Sequence, residues 1–176
     1  MRLFVTVGTT RFDELTKLVC SWEFQKQIAD IGYTDVVLQH GKTDIGSYFT
    51  QLQEDLRWTA FAYTENMHQY FGMADTIISH CGAGTVLDVL RGPIFERRLR
   101  KRGRLVLVSN EKLMDNHQKE LAEQLQRMNL ADVSNLDGLV EVLKDKKTIP
   151  AKDSMERPQL GLLNDAVRNY LLNNDY

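Results

Sequence analysis

ISHCGAGTVLDVL, residues 78–90, is the stretch whose reading decides the fold. Apolar β-branched residues lead into a short polar junction, Ser79-His80-Cys81. Gly82, Ala83 and Gly84 follow almost without side chains, and from Thr85 onward Val86, Val89 and Leu90 recur at helical spacing. A buried strand that turns abruptly into an amphipathic helix is the repeating unit of a parallel sheet. A helix opening on bare backbone also leaves its first N–H groups accessible, which suits a phosphate. Asp88 lies about one turn inside that helix, where its two oxygens could bond to a sugar diol.

Two other junctions share the design. VTVGTTRFDEL, residues 5–15, places Gly8, Thr9 and Thr10 after a strand, with Asp13 three residues past Thr10. VLVSNEKLMDNHQKEL, residues 106–121, places Asp115 three residues before Gln118. Each pair, like Thr85 and Asp88, has the spacing of a helix capping box or a close relative of one, and capping alone accounts for Thr10, Asp13, Thr85 and Asp115. It does not account for three consecutive bare positions at 82–84. Nor does it explain Asn116, His117 and Gln118 on a first helical turn, since Asn and His are poor helix formers. Taken together the junctions suggest a nucleotide-sugar site, with backbone for a diphosphate, an acid for ribose, and amides for sugar hydroxyls.

Around these junctions, strands are expected at 3–7, 36–39, 58–63, 76–79, 104–108 and 131–133. Helices are expected at 12–31, 66–73, 85–90, 116–128, 136–144 and 160–172. Strands as apolar as LFVTV and RLVLV are buried on both faces, so the fold class is α/β, a Rossmann-like parallel sheet with helices on both sides. Residues 1–145 read as the nucleotide-sugar-binding domain, and 146–176 as a polar linker and a last helix. In that helix Leu160, Leu163, Val167, Tyr170 and Leu171 form one stripe, which folds back on the domain or docks a partner.

Composition narrows the function further. A net charge of −2 provides no basic field to recruit nucleic acid. Cys20 and Cys81 form neither a CxxC pair nor a framework, which suits a reducing cytosol. The N-terminus MRLFVTVG is not expected to act as a signal peptide, and no apolar run approaches the roughly 20 residues that span a bilayer. Dinucleotide binding fits poorly, because Leu87 stands where a GxGxxG motif needs its third glycine. His40, His68, His80 and His117 have no metal-ligand spacing; His68 reads as a helix-surface residue and Cys81 as a small turn residue. No metal or cofactor is implied.

These motifs resemble glycosyltransferase family 28. The likeness is to the catalytic cytosolic subunits of the two-part UDP-N-acetylglucosamine transferase that adds the second sugar to dolichol diphosphate-N-acetylglucosamine. It extends to the C-terminal half of the bacterial enzyme that makes lipid II. It runs from Val5 to about Leu130 and rests on VTVGTTRFDEL, VVLQHGK, the Met67-to-Asp75 spacing, IISHCGAGTVLDVL and LMDNHQKELAEQL. It implies one half of a GT-B glycosyltransferase, with Gly8, Thr9, Thr10, Gly82, Ala83, Gly84 and Thr85 near the diphosphate. It implies Gln39 and Gly41 as a QxG element, Thr64 near uracil, and Asp88 on the ribose. It implies Asn116 and Gln118 on the donor sugar, and His117 as a sugar ligand or catalytic base. It further implies a UDP-N-acetylglucosamine donor, a lipid-linked sugar acceptor, and a membrane-anchored partner holding the chain at the cytosolic face of the endoplasmic reticulum. A non-catalytic UDP-sugar-binding module and a subunit of a bacterial-type polysaccharide transferase are the alternatives. One departure is the segment RGPIFERRLRKRGR, residues 91–104, with seven basic residues and one acid, expected at the sheet edge away from the ligand.

Overall fold

The computed structural model describes residues 1–49, 51–91, 103–109 and 116–145. Most of the basic segment and the C-terminal stripe 160–172 lie outside the described residues. The elements run β1 (Arg2–Thr6), α1 (Asp13–Cys20), α2 (Trp22–Ile31), β2 (Asp35–Gln39), β3 (Arg57–Phe61), α3 (Met67–Met73), β4 (Thr76–Ser79), α4 (Ala83–Arg91), β5 (Arg104–Val108), α5 (Asn116–Arg127), β6 (Asp132–Ser134) and α6 (Leu139–Lys144). All six strands pair in parallel in the order β3-β2-β1-β4-β5-β6. The chain therefore builds the sheet outward in one direction from β1, then returns to β1's other side with β4.

Side chains of a strand alternate between faces, and here both faces are roofed. Leu3, Val5, Val36, Leu38, Ile78, Val106 and Val108 pack under α1, α2 and α6, joining Val19, Cys20, Phe24 and Leu139 in one core. Phe4, Val37, Ile77, Leu105 and Leu107 point the other way, into a second core with Phe71, Cys81, Val86, Val89, Leu121 and Leu125 from the α3, α4 and α5 side. Each face thus holds one of the two cysteines. The two edge strands are less buried: β3 exposes Arg57, Thr59 and Ala60, and β6 is half-buried at Asp132 and Val133.

The expected helix over 12–31 is in fact two. Ser21 adopts an extended conformation, its backbone N–H closes α1 onto Leu18 O, and its Oγ accepts the Phe24 N–H that opens α2. The helix expected at 85–90 starts two residues earlier, at Ala83, and the last described helix starts at Leu139 rather than 136. Among the described residues no helix is long and apolar enough to cross a membrane.

The sheet's charged groups gather at its amino edge. Arg2, Asp35, Arg57, Arg104 and Asp132 each open a strand. Asp35 takes both guanidiniums, from Arg57 at 2.9 Å and Arg2 at 3.7 Å. Buried Arg104 reaches Asp132 and the Asp145 carbonyl, both at 2.6 Å.

Candidate functional site

At the opposite, carboxyl edge a cavity of about 540 Å³ opens between the ends of β1 and β4. In an open parallel sheet this boundary, where strand order reverses, leaves a crevice between helices that diverge to opposite faces, and ligands bind there. Gly8, Thr9 and Thr10 line it after β1, Gln39 at the end of β2, and Tyr63 and Thr64 after β3. Met67 and Phe71 line it from α3, and His80, Gly82, Ala83, Gly84, Thr85 and Asp88 from the β4–α4 junction. An aromatic cluster seats α3: Phe4 lies 5.6 Å from both Tyr70 and Phe71, and Phe61 lies 4.8 Å from Tyr70.

The first turn is fixed from beneath by Gln39. Its Oε1 accepts from Thr6 Oγ1 at 2.6 Å and Gly8 N at 2.9 Å. Its Nε2 donates to Gly8 O at 2.8 Å and Ala62 O at 2.6 Å. Those four bonds occupy both donors and both acceptor sites of the amide. Gln39 therefore touches the cavity but acts as a clamp joining the ends of β1, β2 and β3. Gly41 is not among the lining residues. It sits at φ +57, and a β-carbon there would overlap the Thr10 carbonyl, so it allows the turn after β2 to lie against the turn after β1.

Thr10 and Asp13 do not form a capping box. The Thr10 hydroxyl turns back to Val7 O at 2.7 Å, and α1 has no side-chain cap. Asp13 instead accepts from Arg11 Nε at 2.8 Å and Thr43 Oγ1 at 2.9 Å, tying the two turns together. The Arg11 hydrogen bond holds its carboxyl below the ordinary aspartate range, with burial opposing.

At the second turn Thr85 is the third residue of α4 rather than its cap. The first bond of that helix runs from Val86 N to Gly82 O at 3.0 Å, so the amides of Ala83, Gly84 and Thr85 have no acceptor within it. A β-carbon on Gly84 would meet nothing within 4 Å, and its φ is not positive. No packing or backbone requirement asks for glycine there; what its absence of side chain provides is open space above the helix start. Asp88 is exposed and lines the same cavity. Thr64 also lines it, and its hydroxyl accepts the Asn66 N–H at 3.2 Å.

His80 is a cavity residue that residue spacing alone passes over. A β-carbon on Gly8 would stand 2.8 Å from its Cε1, and one on Gly82 would overlap Nε2. Both glycines are thus needed to seat the ring where the two turns meet. Nδ1 is buried and has no hydrogen-bond partner among the described residues. Burial pushes the imidazole below its ordinary pKa, opposed by the Thr6 main chain, which favours the uncharged ring. Its neighbour Cys81 has φ 60 and is buried, with its thiol pushed up to about 12. The signal missed was two glycines flanking a histidine across two distant turns, visible only once β1 and β4 are known to be adjacent. Tyr63, Met67 and Phe71 were missed for the same reason.

Ten of the sequence-proposed binding residues line this cavity: Gly8, Thr9, Thr10, Gln39, Thr64, Gly82, Ala83, Gly84, Thr85 and Asp88. Asn116, His117 and Gln118 form the first turn of α5, after β5, but their side chains lie outside the described residues. No group of three or more His, Cys, Asp or Glu that could hold a metal occurs among the described residues.

The sequence profile of the glycosyltransferase family 28 C-terminal domain matches residues 2–161. A human protein named UDP-N-acetylglucosamine transferase subunit ALG13 is 38% identical over 126 residues, 71% of this chain and 10% of the relative. The protein of that name from Yarrowia lipolytica is 36% identical over 126 residues, covering 71% of this chain and 60% of the relative. The chain thus spans about a tenth of the human relative and under two thirds of the yeast one. Among solved structures, an ALG13 solution structure aligns with a TM-score of 0.66 at 22% identity, covering 96% of this chain and 97% of that one. Acinetobacter baumannii MurG aligns at 0.60 and 18% identity, covering 96% of this chain but 45% of that one. These two likenesses concern the fold. The sheet order, the switch-point cavity and the profile over nearly the whole chain agree: this chain belongs to the glycosyltransferase family 28 C-terminal domain family.

Proposed function

We propose that the chain binds a UDP-N-acetylglucosamine donor in the β1–β4 cavity and is the donor-side, catalytic part of an N-acetylglucosaminyltransferase. The observation that carries this is the start of α4, where amides with no acceptor within the helix lie beside the open space at Gly84, with Asp88 one turn further on. A diphosphate fits those amides and the helix dipole. The ribose hydroxyls fit Asp88, and uracil fits the end of β3 around Tyr63 and Thr64. Asn116 and Gln118 at the start of α5 are assigned to the donor sugar, with His117 as sugar ligand or base. The name printed for the ALG13 relatives supplies the sugar.

Transfer requires an acceptor hydroxyl to attack the anomeric carbon as UDP departs, with a base taking the hydroxyl proton. Preorganised main-chain N–H groups can stabilise the departing diphosphate. The acceptor side is assigned to a second, membrane-anchored polypeptide that presents a lipid-linked sugar, dolichol diphosphate-N-acetylglucosamine, at the cytosolic face of the endoplasmic reticulum. The word "subunit" in the relatives' names supports this, as does a fold match covering 45% of MurG.

Calorimetric titration with UDP and UDP-N-acetylglucosamine tests the donor site. Asp88→Ala should weaken UDP binding by about 1.5–3 kcal/mol, the range for hydrogen bonds to a charged group. Because Asp88 is exposed, unfolding stability should move by no more than about 0.5 kcal/mol. Wild-type affinity in the variant, or no binding to the parent chain, would overturn the reading. Vigorous turnover by the purified chain with lipid acceptor and no partner would overturn the two-part assignment alone.

A further inference from the structure

A nucleotide in this cavity would lie across several strand ends. β3 and β1 are two strand spacings apart, roughly 10 Å. A base held after β3 and a diphosphate held beside the turn after β1 are therefore gripped by segments far apart in sequence. The main-chain ladder between them stops short of both. Its closing bonds run from Val7 N to Gln39 O at 3.2 Å and from His40 N to Phe61 O at 3.0 Å. Beyond that level the chain turns away from the sheet, and the Gln39 side chain supplies a further rung on each side. Toward β1 it bonds both main-chain groups of Gly8, accepting from N at 2.9 Å and donating to O at 2.8 Å. Toward β3 the same Nε2 donates to Ala62 O at 2.6 Å, immediately before Tyr63 and Thr64. Gln39 is buried, so breaking either rung strands polar groups away from water.

We propose that Gln39 is a positioning residue that couples the base end of the donor site to its diphosphate end, so that each half of the ligand prepares the turn that holds the other. This rests on the donor-site reading above. With all four bonding positions of the amide occupied, Gln39 acts on the ligand through Gly8 and Ala62. A ligand that fixes the Gly8 turn fixes the amide, and the amide fixes the end of β3. The second half of the ligand then meets a turn whose ordering has already been met, which is positive coupling without a change of fold. The site thereby favours a complete nucleoside diphosphate over the sum of its parts. Few side chains can do this. An ionised glutamate has no hydrogen to give the two carbonyls, asparagine is one methylene too short to span the same partners, and methionine matches the length without the hydrogen bonds.

The test uses the full chain, UDP, and the two pieces of UDP as separate ligands, uridine and inorganic pyrophosphate, titrated by NMR. In the wild type, saturating pyrophosphate should tighten uridine by about fivefold or more, and uridine should tighten pyrophosphate by the same factor, because coupling is reciprocal. In Gln39→Met that factor should fall to about one, and the fold loss for UDP should exceed the product of the losses for the two pieces. A residue that only stabilised the fold would lower the affinities without removing the coupling. The wild-type measurement needs no variant, so it stands even where Gln39→Met does not fold. There, the exchange of the Gln39 side-chain amide protons with solvent should also slow on adding UDP. Pieces that bind the wild type independently, or UDP that leaves that exchange unchanged, would overturn the proposal while leaving the donor site standing. Coupling that persists in Gln39→Met would do the same, since it would belong to contact between the two ligands. Absence of UDP binding in the wild type would overturn both.

Discussion

Gly82 and Gly84 stand two positions apart and serve different physical ends. Gly82 makes room inside the protein, where a β-carbon would overlap the His80 ring; Gly84 makes room outside it, over an open cavity. Their alanine variants should therefore separate. Gly84→Ala should raise stability by about 0.5–1 kcal/mol, because glycine is costly inside a helix, yet weaken donor binding. Gly82→Ala should lose about 1–3 kcal/mol, as an overpacked site does. Urea unfolding and calorimetry on the same two proteins check both, and unaltered donor affinity in Gly84→Ala would remove the ligand reason for that glycine. The bareness of 82–84 was legible in sequence, as was Asp88. The division of labour was not, because it depends on His80 reaching Gly8, 72 positions earlier, and no local pattern records that contact. Gln39 shows the same limit: its residue type suggests a ligand, but its four hydrogen bonds define a clamp.

Helix boundaries show what periodicity can and cannot report. Leu15, Val19, Phe24 and Ile28 all enter one core, so their spacing runs through Ser21 as though nothing interrupted it. The break is made by hydrogen bonds that period does not encode: Ser21 Oγ donates to Leu18 O at 2.7 Å and accepts from Phe24 N at 3.3 Å. Ser21→Ala should lower stability by about 0.5–2 kcal/mol, the loss of a helix cap, measurable by thermal or urea unfolding. A second unread element is the long connection between β2 and β3. Buried Gln25 holds it to α2, donating to Gln51 O at 3.1 Å and accepting from Gln53 N at 2.9 Å. Nothing around Gln25 in sequence distinguishes it from any other helical glutamine. The strands, by contrast, were legible to within a residue or two, since apolar β-branched runs have few other uses.

Across the molecule, the charged residues of the strands and the ligand space occupy opposite ends of the sheet. Alternation of strands and helices in sequence implied a parallel sheet with its ligand edge, but not the strand order that sets the crevice between β1 and β4. The charged amino edge gives a pH signature of its own. Asp35 is held at about 2, first by its Arg57 hydrogen bond, with burial opposing and Thr34 and Arg2 assisting. Its folded pKa lies below its unfolded value, so its contribution is complete above about pH 4 and lost as pH falls toward the folded value. Asp35→Asn should flatten the acid limb of the stability–pH curve in that window, and added salt should shrink the difference because Arg57 is 79% exposed. The two roofed faces, each with one cysteine, have a chemical consequence. Both thiols are buried and pushed up to about 12, so an aromatic disulfide reagent should find neither until its own face opens. Cys20 would time the release of the α1–α2 side and Cys81 the release of the β4–α4 turn, in one unlabelled protein. UDP should slow the Cys81 clock more than the Cys20 clock if ligand grips that turn, and equal slowing would mean that the two faces open as one unit.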